Sequence, residues 1–336
     1  MKEYIIGNNE QGQRLDKFIA KVLPLGTKGF FYKMLRKKNI VLNDKKAVGN
    51  EMLHFSDCVK FYMSDETFQK FHTIIKENDY LEYTKDKLDK LNINILYEDK
   101  HIVAFYKPEG ILSQKAKITD VSMNDYLIGY LLHTKQCTVK SLEIFKPSIL
   151  NRLDCNTSGI IVGSKTLQAS QNVSEMIKNH SLNKFYKCYV YGKCPLHNTY
   201  EHFLLKDKLQ NKVTISDENK VDAVLTKTGI SALRYYKDLD ITELEIRLYS
   251  GKTHQIRAVL EHLGFPIVGD PKYKFHKNGK NRFPNINHQS LYACKLIFPK
   301  NTKEGMESLS SLIINCENKL PIFHMIKDEK YVNMDK

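Results

Sequence analysis

Absences narrow this sequence before any motif does. It has no C-x-x-C pair, and its seven cysteines, Cys58, Cys137, Cys155, Cys188, Cys194, Cys294 and Cys316, are odd in number and scattered. Such spacing suits neither a disulfide framework nor a zinc site and reads as reduced thiols. No apolar run approaches the roughly eighteen residues a membrane helix needs, and the opening MKEYIIGNNE holds no apolar stretch of signal-peptide length. A soluble, cytoplasmic protein without a membrane partner is expected. The P-loop and G-x-G-x-x-G patterns that cradle phosphates are absent, as are internal repeats and low-complexity tracts. No metal, nucleotide or flavin cofactor is therefore expected. Acidic residues are also in short supply, with 38 Asp and Glu against 52 Lys and Arg, a net charge of +14. A polyanionic partner follows from that balance, although charge alone does not separate RNA from DNA or an acidic membrane.

What is present suits a chain of 336 residues, 42% of them hydrophobic, with room for about two domains. Leu15, Phe18, Ile19 and Val22 make one apolar helical stripe, with Arg14, Lys17 and Lys21 on another face. After a break at 24–29, Phe31, Met34 and Leu35 repeat the pattern, with Lys33, Arg36 and Lys37 grouped away from them. Strands at 40–42 and 59–63 follow, the first ending in an Asn43-Asp44 turn. Over residues 1–64 twelve Lys and Arg stand against six Asp and Glu. Two helices sharing a basic face suit a phosphate backbone better than a small anion; the plainer alternative is a solvated helix face. Residues 65–92 are charged and nearly free of Gly and Pro, and read as a linker with a little helix around 73–81.

Beyond Ile93 the composition shifts. INILYEDKHIVAFYKPEGIL spells strand, polar turn, strand and a Lys-Pro-x-Gly stop at Lys107. Met123, Leu127 and Leu131 fit a buried helix; Val173, Met176 and Ile177 mark another. Leu244, Ile246 and Leu248 alternate up to the Ser250-Gly251 turn, and Ile256, Val259, Leu260 and Leu263 form the stripe of a helix with His254, Arg257 and Glu261 on its far side. Glu261, four residues after Arg257, is placed to neutralise it. Lys272, Lys274, Lys277, Lys280 and Arg282 make a basic loop, either RNA-facing or simply solvated.

The stretch at 151–165, NRLDCNTSGIIVGSK, concentrates chemistry. Arg152 and Asp154 sit two residues apart, so an extended backbone points both to one side, a cation and a potential nucleophile facing one ligand. A lone R-x-D is more often an ordinary loop ion pair. The whole string N-R-L-D-x-N-T-S-G-I-I-V, however, closely resembles the H-R-L-D-x-x-T-S-G-L-L-L catalytic motif of the RluA-type pseudouridine synthases. That resemblance implies Asp154 as the catalytic residue and Arg152 as the group that helps eject the target uridine from its stack. Asn151 replaces the usual His and cannot carry a proton near neutrality. Cys155, although a conceivable nucleophile, falls at the variable position. Two further strings are similar to family segments in the same order. In NKFYKCYVYG the resemblance makes Tyr186 the tyrosine that stacks on the flipped base and serves in proton transfer. In SGKTHQIRAVLEHLGFPIVGD it makes Arg257 the partner of Asp154, with Lys252 in the place of a common Arg. Lys107, Lys252 and His254 are expected to contact the substrate. Ser113 and Gln114 depart from the pattern, where many relatives carry an aliphatic residue and His.

The amino-terminal strings G-x-R-L-D-K-F, Y-K-M-L-R-K-K-N and I-V-L-N-D resemble the S-four-like RNA-binding domain, which implies RNA contacts from Arg14, Lys17, Lys33, Arg36 and Lys37. The resemblance as a whole implies an α+β chain: a small α/β RNA-binding domain at 12–64, a linker at 65–92, and a catalytic domain at 93–325 built on a mixed, mainly antiparallel sheet with flanking helices. It implies a monomer that converts uridine to pseudouridine in RNA, 23S ribosomal RNA above all, by a catalytic Asp and base flipping, without cofactor and without DNA. Two rivals stay open: a non-catalytic RNA-binding or ribosome-assembly factor, and a glycosidase, which would need a second carboxylate that the motif around Asp154 lacks.

Overall fold

The computed structural model describes residues 1–7, 9–72, 93–117, 119–207, 212–216, 221–274, 283–320, 322–323 and 331–333. Its amino-terminal part is a four-stranded sheet, in the order β1-β4-β2-β3, backed by helices. Its elements are β1 (Lys2–Ile5), α1 (Leu15–Val22), α2 (Lys28–Arg36), β2 (Ile40–Leu42), β3 (Lys45–Lys46), β4 (Cys58–Phe61) and α3 (Asp65–Phe71). The apolar stripe read from the sequence is what folds it: Leu15, Phe18, Ile19 and Val22 are fully buried against Phe31, Leu35, Ile40, Val59 and Phe61. Each such side chain contributes roughly 1.5–3 kcal/mol on leaving water. Asn43 and Asp44 both take positive φ, 50° and 61°, and these short polar residues are among the few that tolerate that conformation in a hairpin turn.

Two features of this part differ from the sequence reading. An edge strand, β1, pairs with β4, and Ile6 just after it enters the core. The first residues of the expected linker form α3 instead, capped by Ser64, whose Oγ accepts from Thr67 N. Phe68 of α3 is buried among the core side chains and Phe71 packs on Phe30 at a ring distance of 4.2 Å. Apolar burial of two aromatic rings outweighs the charged composition around them. The small helix expected around 73–81 lies outside the described residues.

The larger part continues with β5 (Asn94–Glu98), β6 (Ile102–Lys107), α4 (Met123–His133), α5 (Val139–Leu142), β7 (Ser158–Ser164), α6 (Leu167–Lys178), β8 (Asn183–Tyr191), β9 (His197–Asp207), β10 (Lys212–Ser216), β11 (Val224–Tyr236), β12 (Ile241–Leu248), α7 (Gln255–His262), β13 (Leu291–Ile297), β14 (Ile313–Asn315) and β15 (Tyr331–Asn333). Its sheet runs β10-β9-β11-β12-β8-β13-β7-β6-β5, with β14 added to β13 and β15 to β11. Among the described strands only β13 and β7 pair in parallel, so the sheet is mixed and mainly antiparallel and the fold is α+β, as expected. β6 and β7 are buried on both faces: Val103, Phe105 and Ile161 pack under α4, while Ile102, Ala104, Ile160 and Val162 pack under α6. The third helix, α7, covers Cys188, Val190, Leu244 and Ile246 of the central strands.

The two parts touch near Glu143, whose carboxylate lies 3.7 Å from His72 Nε2, and through Ile144, which packs on the amino-terminal core. No described helix is long and apolar enough to cross a membrane.

Candidate active site

The loop at 151–157 leads into β7, and its backbone is fastened from three sides. Asn151 uses its amide as a strand residue uses its peptide: Nδ2 donates to Ile160 O at 3.0 Å and Oδ1 accepts from Val162 N at 2.8 Å. Ser113 Oγ donates to Leu153 O and accepts from Leu153 N, at 2.7 and 2.9 Å. The Lys107 ammonium donates to Pro108 O, Ile111 O and Cys155 O at 2.9, 2.8 and 2.7 Å. At the loop's end, a Cβ on Gly159 would lie 2.3 Å from Ala293 O, and its φ is +112°. Only glycine allows β7 to reach β13 there.

Leu153 is buried in the core beneath the loop, while Asp154 keeps a side-chain exposure of 29%. Asp154 Oδ2 accepts from Arg257 Nη1 at 3.1 Å, and among the described residues Oδ1 has no hydrogen-bond partner. Arg257 is itself clamped. Its Nε and Nη2 form a fork on Asp270 at 2.7 and 2.8 Å, and Asp270 also accepts from the backbone N of Lys272 and Tyr273. Burial works to lower the Arg257 pKa, but the hydrogen bonds and charges of Asp270 and Asp154 outweigh it and the net shift is upward. A permanent cation therefore holds one oxygen of Asp154 and leaves the other open.

His254, in the left-handed region at φ 53°, starts α7 beside this pair. Tyr273 Oη accepts from Val213 N at 2.8 Å and stands 3.0 Å from His254 Nδ1, where its own proton can be given to that nitrogen. The imidazole then carries its hydrogen on Nε2, which lies 3.7 Å from Asp154 Oδ2. Burial lowers the His254 pKa; the Asp154 charge opposes this and the Arg257 charge adds to it.

Tyr186 on β8 is 8% exposed and faces the same core as Leu153. Its hydroxyl pKa is raised, first by burial and then by the charge of Asp154. Such a hydroxyl keeps its proton at neutral pH, so it is placed as a hydrogen-bond donor on the edge of an aromatic platform and not as a resting base. Asp154, Arg257, His254 and Tyr186 thus come together. Arg152 and Lys252 sit exposed on the loop and on the turn before α7, without ion-pair partners among the described residues. Lys107, expected at the substrate, is instead fully buried with its three protons taken by three carbonyls, and it braces the Asp154 loop from below. Helix α7 also corrects its expectation. Arg257 is buried along with the apolar stripe, because the β9–β10 hairpin covers the flank read as its far side, and Glu261 pairs with Lys212 rather than Arg257.

In the amino-terminal part, Lys17, Lys33, Arg36 and Lys37 are exposed without a partner among the described residues, whereas Arg14 is forked onto Asp16 at 2.9 and 3.1 Å. Of the basic loop, Lys272 and Lys274 are exposed; Lys277, Lys280 and Arg282 lie outside the described residues. Sequence reading passed over Asp270, although it ends the string that contains Arg257, and over Tyr273; Ser113 was noted only as a departure from the family pattern, not as the group that holds the Leu153 backbone. Asp270 is the second carboxylate near Asp154, but its side chain is wholly buried and committed to Arg257, so the two do not form a glycosidase pair. Among the described residues no group of His, Cys, Asp and Glu is placed to hold a metal ion.

The model of the RNA pseudouridylate synthase family matches residues 101–262, a span that holds the Asp154 loop, Tyr186 and Arg257. An uncharacterized RNA pseudouridine synthase of Mycoplasma genitalium is 32% identical over 305 residues, 89% of each chain. A ribosomal large subunit pseudouridine synthase C of Rickettsia felis is 27% identical, over 94% of this chain and 96% of that one. In three dimensions the fold is similar to that of human RNA pseudouridylate synthase domain containing 4, with a TM-score of 0.55 at 19% identity, over 74% of this chain and 94% of that one.

Proposed function

The chain belongs to the RluA-type RNA pseudouridine synthases, enzymes that isomerise uridine in RNA, and from that premise we propose that its substrate is large-subunit (23S) ribosomal RNA and that Asp154 starts the reaction. One observation carries the assignment of Asp154: its carboxylate is held at one oxygen by the buried Arg257 and open at the other. Attack on the sugar and removal of a ribose proton both need that open oxygen. The glycosidic bond breaks, the uracil turns while held in the pocket, and a carbon–carbon bond to the ribose forms. Tyr186 supplies the aromatic face for a base that has left its stack, and the unpaired Arg152 fills the gap behind it, offsetting part of an unstacking cost of about a few kcal/mol. The similarity to a ribosomal large subunit synthase along nearly the whole chain supports the ribosomal substrate.

The amino-terminal part is read as an S-four-like RNA-binding domain that works alongside the catalytic part. Lys17, Lys33, Arg36 and Lys37, exposed along α1, α2 and the turn after α2, suit phosphates of structured RNA. Arg14 is a weaker candidate, since its guanidinium already has Asp16.

The test is pseudouridine formation in ribosomal RNA transcripts by the wild type and by Asp154→Asn, with RNA binding followed in parallel. The wild type should react, and the variant should bind but turn over at least about 1,000-fold more slowly. If both bind and neither reacts on any RNA offered, pre-ribosomal particles included, the assembly-factor reading replaces this one. Pseudouridine maps with and without the gene check the substrate; loss of sites in transfer RNA alone would overturn the ribosomal assignment.

A further inference from the structure

Three of the shielded lysines of the larger part have evident partners. Lys107 is held by three carbonyls, Lys165 by Glu98 and Asp99 O, and Lys187 by Glu243. Lys184 has none: the residue is 7% exposed and no hydrogen bond or ion pair of its ammonium occurs among the described residues, yet Nζ is not among the buried polar atoms left without a partner, so the stem is covered while the charged end reaches solvent. Its pKa lies below the ordinary lysine value, with burial as the cause. A lysine with a covered stem and a charged end that has no internal counter-charge leaves its ammonium open to an external anion.

The location says which ligand. Lys184 and Tyr186 are two residues apart on β8, so both point to the catalytic face of the sheet, roughly 7 Å apart along the strand. Lys184 pairs across to Leu248 at the end of β12, and its Nζ lies 3.1 Å from where a Cβ on Gly251 would be. The ammonium thus sits under the 250–252 turn, at the one residue of that turn with no side chain to cover it, next to the exposed Lys252. Resting on the reading of Tyr186 as the platform for the target base, we propose that Lys184 binds a backbone phosphate of the RNA beside the target uridine. An ammonium one base-to-backbone span from the stacked uracil meets the only anions that RNA carries. Lys184 is then a substrate-positioning residue, and the charge it lacks inside the protein arrives with the substrate.

The test uses the full chain as wild type, Lys184→Met, Lys184→Arg, and Lys178→Met as an exposed control on α6. RNA affinity is measured against salt concentration on a ribosomal RNA transcript, and pseudouridine formation alongside. Lys184→Met should bind about tenfold more weakly and its salt slope should fall by about 0.7, one single-strand phosphate. Lys184→Arg should recover part of both, and the control should match the wild type. Should Lys184→Met fail to fold, differential acetylation of the wild type serves instead: bound RNA should protect Lys184, and equal modification with and without RNA overturns the proposal. An unchanged salt slope and unchanged kcat/KM in a folded Lys184→Met overturns it equally. Binding is read independently of turnover, so a wild type that grips RNA through Lys184 but makes no pseudouridine would refute the catalytic reading and leave this one standing.

Discussion

Lys107 and Arg257 in the larger part, and Lys33, Arg36 and Lys37 in the smaller, all count equally toward a net charge of +14. Their surroundings make them different instruments. Lys107 and Arg257 are buried, and their donors are committed to Cys155 O, Ile111 O, Asp270 and Asp154. They shape the site and reach no solvent phosphate. Lys33, Arg36 and Lys37 stand exposed with no internal partner among the described residues and are open to an external anion. A cation's part in function is therefore read from what it already holds. The comparison can be broken by showing that the buried set alters RNA grip or that the exposed set alters stability.

The largest effect should come from Asp270→Ala. It leaves the buried Arg257 guanidinium with two donors unpaired, and removing one partner of such a pair typically costs about 3–5 kcal/mol. Denaturant unfolding should show that loss, and turnover should collapse, because Nη1 is no longer aimed at Asp154. Asp270→Asn, which keeps an acceptor, should fall between. A drop in stability below about 1 kcal/mol would mean that Asp270 does not hold Arg257. Next comes Lys107→Met, which leaves three carbonyls in want of a donor and should cost about 2–3 kcal/mol. Its signature is a fall in kcat larger than the fall in RNA affinity; the reverse would restore Lys107 to the RNA-contacting residues.

These two residues also mark where sequence reading stops. The motif order, the helical stripes of α1 and α6, the alternation of β12 and the pairing of Arg257 with Asp154 were legible, because each rests on short-range periodicity or on a string long enough to resemble a known one. Lys107 was misread because its decisive partner, Cys155 O, is 48 residues away, and no local pattern distinguishes a lysine that ends a strand into solvent from one that ends it into a cage. Asp270 was passed over because its role depends on the Gly269 turn folding it under Arg257. On helix α7, Glu261 was expected to neutralise Arg257; the β9–β10 hairpin packs against that flank and Glu261 pairs with Lys212 of the hairpin instead, a long-range event. β1 and α3 were missed because short edge elements owe their formation to burial of a few rings and aliphatic side chains rather than to propensity.

A smaller effect sharpens the other side. Lys33→Gln, Arg36→Gln and Lys37→Gln combined should weaken RNA binding evenly across sequences and lower the salt slope by up to about 2, at about 0.7 per phosphate released. Stability should move by no more than about 0.5 kcal/mol, since none of the three contacts the core. A triple variant that binds RNA with the wild-type salt slope would reduce this face to a solvated surface.

The smallest effect concerns His254, which stands between the two classes: largely buried, yet neutral as the Tyr273 hydrogen bond and its surroundings place it. Burial holds its folded pKa below the unfolded value of 6.5. Between the two values the unfolded chain binds the extra proton, so unfolding becomes harder as pH rises through that window. The stabilising term is complete above 6.5 and is lost as pH falls through the folded value. His254→Gln offers an acceptor to Tyr273 and a donor toward Asp154 but has nothing to titrate. Its unfolding midpoint should therefore decline less steeply than the wild type's on the acid side of 6.5. Parallel pH profiles would show that the imidazole titrates alike in both states, and so that burial beside Arg257 does not exclude the proton.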